Sequence, residues 1–264
     1  MNTLSNSESG AKLPQILSIL AVLFWGILLL KYAITGQYQL LIHPNYFYLM
    51  LATSILLLII GIIKIKQLLT TFIATTDNES HLTIFPPGIG SSLLLLTAIA
   101  GLLIPPTVLT SSTALQRGIT ETLPPTRVQP QTFITQTRPE ERSLIEWVRT
   151  LNAYPEPDAY TGQPAKITGF TIHLPELGDN YLLLSRFILT CCAVDAYPIF
   201  IPVELPPNTE QYADDTWLEI TGTMTTQTLK IRDRSQTPQE KRRLILKAEN
   251  IKQIPTPSNP YSYQ

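Results

Sequence analysis

Three long apolar stretches occupy the first 110 residues of the chain, and no stretch of comparable length follows them. They cover residues 14–34, 46–63 and 89–109, and each is close to the ~20 residues with which a helix crosses a ~30 Å hydrocarbon core. None of them has the polar face that a helix of a soluble protein turns to water. The pattern therefore predicts three transmembrane helices in a membrane domain at 14–109, after a disordered polar N-terminus at 1–13.

The rest of the chain has the residue pattern of a soluble domain, with irregular segments predicted before and after it. Residues 110–137 contain scattered prolines and no sustained period, which predicts a linker. Residues 139–151 carry apolar side chains at helical spacing and two glutamates in the first turn, which predicts a short helix. Residues 255–264 are polar and proline-rich, and we predict that this tail is disordered.

Five strands are predicted within a soluble β domain at 138–254, because segments rich in β-branched and aromatic residues alternate there with Gly, Pro, Asn and Asp. The segments are 165–173, 181–190, 196–205, 216–223 and 244–254. Five short strands suit a small OB-like five-stranded barrel preceded by the short helix, with a small sandwich as the alternative. The predicted fold class is membrane α followed by a C-terminal all-β domain.

Charge divides the chain in the same way. Residues 1–110 hold 4 of the 19 Lys and Arg residues and 3 of the 20 Asp and Glu residues. The net charge of −1 excludes nucleic acid as a partner, because nucleic-acid binding usually needs a basic excess. Lys64 and Lys66 follow the second apolar stretch, whereas the loop before it carries only Lys31. Since positive charge favours the cytoplasmic side, the N-terminus is expected to be cytoplasmic and the C-terminal domain extracytoplasmic, in an integral plasma membrane protein.

The two cysteines, Cys191 and Cys192, are adjacent. Neighbouring Cα atoms lie ~3.8 Å apart, which is too close for an ordinary disulfide, so the pair is not a structural crosslink. Three hypotheses remain: small packing residues where a strand meets a turn, ligands of a soft metal ion together with Asp195 or His173, and a thiol redox centre. Asp195 also has an alternative role, which is to cap a turn through the backbone.

Other candidate chemistry is sparse. His43 lies between the first two apolar stretches and is a candidate ligand or proton relay, with a solvated interfacial histidine as the alternative. The sequence contains no nucleotide-binding loop, catalytic triad or H-E-x-x-H motif, so we do not predict an enzyme. The apolar stretches contain no interior Asp, Glu, Arg or His, which argues against a transporter that acts alone.

Several short motifs are similar to those of one family of bacterial membrane proteins. They are Ile42-His43-Pro44, PPTVLTSSTALQRG at 105–118, TGQPAKITGF at 161–170, Arg186-Phe187, CCAVDA at 191–196 and DTWLEITG at 215–222. Together they resemble the YcgQ-like family over nearly the whole chain, and the CC-A-x-DA run is the most specific part. The resemblance implies a partner of a separate multi-span permease.

These features predict an accessory subunit of a membrane permease complex. Its extracytoplasmic β domain would gate the permease or hand over a solute, with a soft metal ion at Cys191 and Cys192 as the candidate cofactor. Two alternatives stay open: a membrane-tethered thiol redox enzyme that uses the same cysteines, and a structural envelope protein with no ligand. The expected partners are a multi-span permease subunit and the lipid bilayer, and nucleic acid is not among them.

Overall fold

A computed structural model of the chain describes residues 5–70, 88–121, 137–207, 209, 211–232 and 238–263. The chain divides into two units, Met1–Thr107 and Val108–Gln264. The first unit is helical, and the second is built around a β-sheet.

The first unit contains the apolar helices α1 (Ser5–Thr35), α2 (Phe47–Thr70) and α3 (Ile89–Leu103). Two helical stretches, Leu13–Thr35 and Pro44–Thr70, are long and apolar enough to cross a membrane. They confirm apolar helices at the first two predicted spans. The prediction of disorder at 1–13 is wrong from Ser5 onward, because helix propagation adds a hydrogen bond for each further residue and carries α1 into this polar segment.

The third predicted span, 89–109, contains the helix α3, and α3 is not among the helices long enough to cross a membrane. It has 15 residues and ends at Leu103, which makes it ~22 Å long, against ~30 Å for a hydrocarbon core. The helix stops there because Pro105 and Pro106 have no backbone N–H with which to continue it.

Two side chains of α1 supply the donors that these prolines lack. In a continuing helix, the carbonyls of Gly101 and Leu102 would accept hydrogen bonds from the N–H groups at the two proline positions. The Tyr32 hydroxyl donates to the Gly101 carbonyl at 2.9 Å, and the Lys31 ammonium donates to the Leu102 carbonyl at 2.9 Å. The Gly101 and Leu102 carbonyls are thereby satisfied without water, which suits an apolar environment.

Glycines allow α1 and α2 to approach closely. Leu58 of α2 lies against Gly26 of α1, where an added Cβ would come within 2.9 Å of the leucine side chain. The reverse contact occurs at Gly61 of α2, which receives Leu23 of α1 inside the contact distance of a Cβ. The buried Ser54 hydroxyl donates to the Gly26 carbonyl at 2.8 Å. Small residues and interhelical hydrogen bonds of this kind are typical of membrane helix pairs.

The second unit contains the helices α4 (Ser111–Arg117) and α5 (Leu144–Ala153) and one six-stranded sheet. The strands are β1 (Pro164–Ile172), β2 (Tyr181–Leu189), β3 (Tyr197–Glu204), β4 (Trp217–Arg232), β5 (Pro238–Gln253) and β6 (Ser262–Tyr263). Five strands close into a ring in the order β1–β4–β5–β3–β2, because β1 also pairs with β2. Pairs in the ring are antiparallel except β3–β5, and β6 adds to β2 in parallel.

All five predicted strands occur, but β4 and β5 extend well beyond residues 216–223 and 244–254. After Trp217, buried positions in β4 are even-numbered from Leu218 to Met224 and odd-numbered at Leu229 and Ile231. The strand therefore changes its buried face along its length. A half-buried strand is recognised in a sequence by apolar residues at every second position. Because this alternation is interrupted after Met224, the sequence does not predict the second half of β4.

The core lies inside the ring and includes the apolar face of α5. Trp147 and Val148 of this helix are fully buried together with inward side chains of all five ring strands. The helix begins five residues later than the predicted 139–151, because Ser143 and Glu146 form a capping box. The Ser143 N–H donates to the Glu146 carboxylate at 2.7 Å, and the Ser143 hydroxyl accepts from the Glu146 N–H at 3.4 Å.

Two segments predicted to be irregular contribute regular structure. Residues 111–117 of the predicted linker form α4, and residues 262–263 of the predicted disordered tail form β6. Tyr261 is 2% exposed: its ring meets that of Phe187 edge-on, and its hydroxyl accepts from the Leu109 N–H at 3.1 Å. The linker and tail predictions are wrong for these residues, because partners distant in the sequence order them. Residues 122–136 lie outside the described part of the chain.

Candidate functional site

The adjacent cysteines lie on a tight turn between β2 and β3, here called the cysteine turn (residues 190–196). The Asp195 carboxylate shapes it by accepting backbone N–H bonds from Thr190 at 3.4 Å, Cys191 at 2.8 Å and Cys192 at 3.3 Å. The Asp195 N–H in turn donates to the Cys192 carbonyl at 3.1 Å. An aspartate that bonds its own backbone in this way is a common turn-forming device, so Asp195 acts as the turn cap.

Arg117, the last residue of α4, holds the same turn from the outside. Its Nη1 donates to the carbonyls of Ala193 at 2.9 Å and Ala196 at 2.6 Å. An arginine keeps its charge at any ordinary pH, and charge-assisted hydrogen bonds are stronger than neutral ones. The cysteine turn is therefore fixed through its amides by Asp195 and through its carbonyls by Arg117.

The two thiols face the same region of space. Their Sγ atoms are 3.7 Å apart, and both cysteines are free. Successive side chains of a strand point to opposite faces, but β2 ends at Leu189, before the pair is reached. Cys191, Cys192 and Asp195 are the one group of potential metal ligands within the described residues whose donor atoms all lie within 4.8 Å of one another.

Protonation differs between the members of this group. The hydrogen bond to Asp195, and then the contact with Cys192, raise the pKa of the exposed Cys191 thiol to about 12. Burial raises the pKa of the Asp195 carboxyl, but hydrogen bonds from the Cys191 thiol and from the three backbone amides outweigh burial and lower it overall. At neutral pH Cys191 is thus a thiol bonded to a carboxylate, and a poor nucleophile, because the thiolate is the reactive form.

The spacing of the sulfur atoms suits one tetrahedral metal ion. Two thiolates that each lie ~2.3 Å from a tetrahedral Zn²⁺ are ~3.8 Å apart, close to the 3.7 Å between Cys191 and Cys192. A carboxylate has about four acceptor positions, and Asp195 uses them for three amides and the Cys191 thiol. The turn therefore offers an ion two thiolate donors, with Asp195 as the residue that positions them.

The other residues considered in the sequence are not part of this group. His43 belongs to the first unit, where its Nδ1 accepts from the Asn45 N–H at 3.1 Å. His173 Nδ1 lies 2.8 Å from the carboxylate of Asp214. The sequence analysis includes Arg117 in the motif at 105–118 but gives it no role at the cysteine turn, because its carbonyl partners lie 76 and 79 residues further along the chain.

Comparison with known proteins identifies the family. Residues 17–120 match the DUF1980 N-terminal domain, and residues 135–264 match the DUF1980 C-terminal domain. No curated protein and no protein of known structure matches the chain. The N-terminal match precedes the C-terminal match along the chain, and together they leave out only residues 1–16 and 121–134. The chain belongs to the DUF1980 family.

Proposed function

We propose that this protein is an integral membrane, accessory subunit of a permease complex, and that it binds a soft metal ion at Cys191 and Cys192 and hands it to the permease. The observation that carries the proposal is the pair of free sulfur atoms, 3.7 Å apart, on an exposed turn that Asp195 and Arg117 hold by hydrogen bonds. Thiolates select soft and borderline ions such as Cu⁺ and Zn²⁺ over Mg²⁺ and Ca²⁺.

The number of donors favours transfer over permanent binding. Structural zinc sites are closed by four protein ligands, whereas sites that exchange a ligand keep a coordination position open. Cys191 and Cys192 supply two donors, which leaves about half of a tetrahedral coordination sphere for water or for side chains of another protein. A partner that supplies further ligands can therefore take the ion without the turn unfolding.

The helices favour an anchored subunit over a transporter that acts alone. The stretches Leu13–Thr35 and Pro44–Thr70 have the length and composition of membrane spans, and they contain no acidic side chain along which a cation could pass. We further propose that α3, with the residues flanking it, makes a third crossing, so that the C-terminal domain is extracytoplasmic. The resemblance to YcgQ-like proteins supports a multi-span permease as the partner, and an extracytoplasmic domain would not meet nucleic acid.

The strand ring also supports an OB-like barrel for the C-terminal domain. Five strands that close on themselves, with one parallel pair at β3–β5, suit this class of small closed sheet. Such a ring supports loops rigidly at its ends, and the cysteine turn is one of these loops. The fold alone does not define the ligand, so the proposal depends on the thiols.

Metal binding is tested by titrating the full-length protein in mild detergent with Zn²⁺ in competition with a chelating dye. We expect one ion per chain, and we expect Cys191→Ser and Cys192→Ser each to abolish binding. Val194→Ala, at the 86% exposed tip of the same turn, is the matched control and should bind as the parent does. Stoichiometric binding that survives both serine variants would place the ion elsewhere and end the proposal.

The permease partnership is tested separately by purifying the tagged protein from its native membrane. A multi-span protein should copurify, and mass spectrometry should identify it. The thiol-enzyme alternative makes the opposite prediction, namely turnover of a small disulfide by the protein alone. The raised pKa of Cys191 disfavours that chemistry at this thiol.

A further inference from the structure

We infer that Arg117 is a positioning residue of the proposed ion site: by holding the cysteine turn from α4, it sets the affinity of Cys191 and Cys192 for a soft metal ion. The inference rests on the proposed function. Arg117 would act on ion binding without being a metal ligand, because a guanidinium has no lone pair to offer to a cation.

The contacts of the cysteine turn divide between two residues. Asp195 orders the amides of residues 190–192, which carry the thiols. Arg117 orders the carbonyls of Ala193 and Ala196, which stand on either side of Val194 and Asp195. The backbone that carries the Asp195 carboxylate is thus held by Arg117, so a change at Arg117 passes through Asp195 to the two cysteines.

Arg117 reaches the turn from a segment that is itself fixed. The Ser111 N–H, at the start of α4, donates to the Asp215 carboxylate at 2.5 Å. The Leu109 N–H donates to the buried Tyr261 hydroxyl at 3.1 Å. These two hydrogen bonds fix the start of α4, and the helix therefore fixes the position of the Arg117 guanidinium at its other end.

The contact requires a cation with several donors on one atom, because Nη1 makes both hydrogen bonds. A lysine ammonium has three donors on a single nitrogen, so Arg117→Lys can restore the contacts in part. Arg117→Met keeps the apolar stem but removes both bonds. Residues that orient metal ligands typically contribute a factor of roughly 10–100 in metal affinity.

The test titrates Cd²⁺ into the full-length protein in mild detergent and follows the thiolate-to-cadmium charge-transfer absorption. We expect Arg117→Met to weaken binding by about tenfold or more and Arg117→Lys to recover most of the loss. The matched control is Arg149→Met, since the Arg149 guanidinium also donates to a backbone carbonyl, that of Tyr263 at 3.2 Å. The control should bind Cd²⁺ as the parent does.

Each other outcome counts against the inference. Arg117→Met with an affinity within twofold of the parent overturns it and leaves the proposed function standing. Equal weakening in Arg149→Met assigns the effect to general loss of structure and also overturns it. If Arg117→Met does not fold, Arg117→Gln takes its place, and an affinity of Arg117→Gln within twofold of the parent overturns the inference in the same way. A parent protein that gives no charge-transfer band ends the proposed function and this inference together.

Discussion

At the scale of single residues, Asp195 decides the state of its neighbouring thiol. Its carboxylate accepts a hydrogen bond from the Cys191 thiol and repels the thiolate, and both effects favour the protonated form. The pKa of Cys191 is therefore raised, and the thiolate appears only at alkaline pH. A metal ion that binds at the turn has to displace this proton.

We predict that Asp195→Asn makes Cys191 more reactive at lower pH. In a Cys192→Ser background, the midpoint of the pH dependence of iodoacetamide alkylation should fall toward ~8.5, the ordinary thiol value, because the negative charge is removed. Asp179→Asn, in the connection between β1 and β2, is the control and should leave the midpoint unchanged. An unchanged midpoint in Asp195→Asn would show that the carboxylate does not govern this thiol.

The sequence predicted the site in part. It placed two thiols and a carboxylate within five residues at the end of a strand, and it offered Asp195 both as a ligand and as a turn cap. The structure supports the turn cap, because the Asp195 carboxylate accepts hydrogen bonds from three backbone amides of the same turn. Such contacts join neighbours in the sequence, so the sequence can predict them. The Arg117 contact could not be predicted, since it depends on how α4 meets β3.

At the scale of elements, the end of α3 depends on side chains of α1. We predict that Tyr32→Phe lowers the free energy of unfolding of the protein in detergent by about 1–2 kcal/mol, because the Gly101 carbonyl loses its donor in apolar surroundings. Unfolding by heat or SDS, followed by circular dichroism, measures the change. Tyr48→Phe removes a hydroxyl from a residue that is 80% exposed and should be neutral. Equal stability of Tyr32→Phe and the parent would refute the role of this hydrogen bond.

The pairing of β4 with β5 leaves no room for a side chain at Gly222. The register shifts there by one residue, and an added Cβ would overlap the Lys247 carbonyl of the facing strand. Because the overlapping group is backbone, we predict that Gly222→Ala costs about 1–3 kcal/mol in the free energy of unfolding. The exposed neighbour Thr221 provides the control, Thr221→Ala. Denaturant titration of both variants distinguishes a bulge that needs glycine from one that tolerates a side chain.

The elements that the sequence predicted least well are those whose ends are set by tertiary contacts. β4 looks short in the sequence because its buried face changes after Met224. The strand β6 is two residues long and forms by pairing with Ile188 and Leu189. Two residues are too few to show the alternation of apolar and polar positions by which a strand is predicted.

At the scale of the whole molecule, the two cysteines provide a test of topology, because the chain has no others. If the N-terminus is cytoplasmic and three crossings precede the C-terminal domain, a membrane-impermeant maleimide should label the cysteine turn in intact cells, chiefly at Cys192 because the pKa of Cys191 is raised. A cysteine introduced as Thr70→Cys at the end of α2, in a cysteine-free background, should be labelled only after permeabilisation. The reverse pattern would place the C-terminal domain in the cytoplasm and refute the proposed orientation.

The reciprocal glycine contacts of α1 and α2 limit how this helix pair can move. Leu58 of α2 packs into the space left by Gly26 of α1, and Leu23 of α1 packs into the space left by Gly61 of α2. Each helix thus receives a leucine side chain of the other. A slide of one residue, ~1.5 Å along the axis, would drive both leucines out of these spaces at once. The pair therefore resists piston-like motion and translates or tilts as one rigid body. In the proposed permease complex, a movement along the membrane normal would therefore take place between this helix pair and its partner, not between α1 and α2.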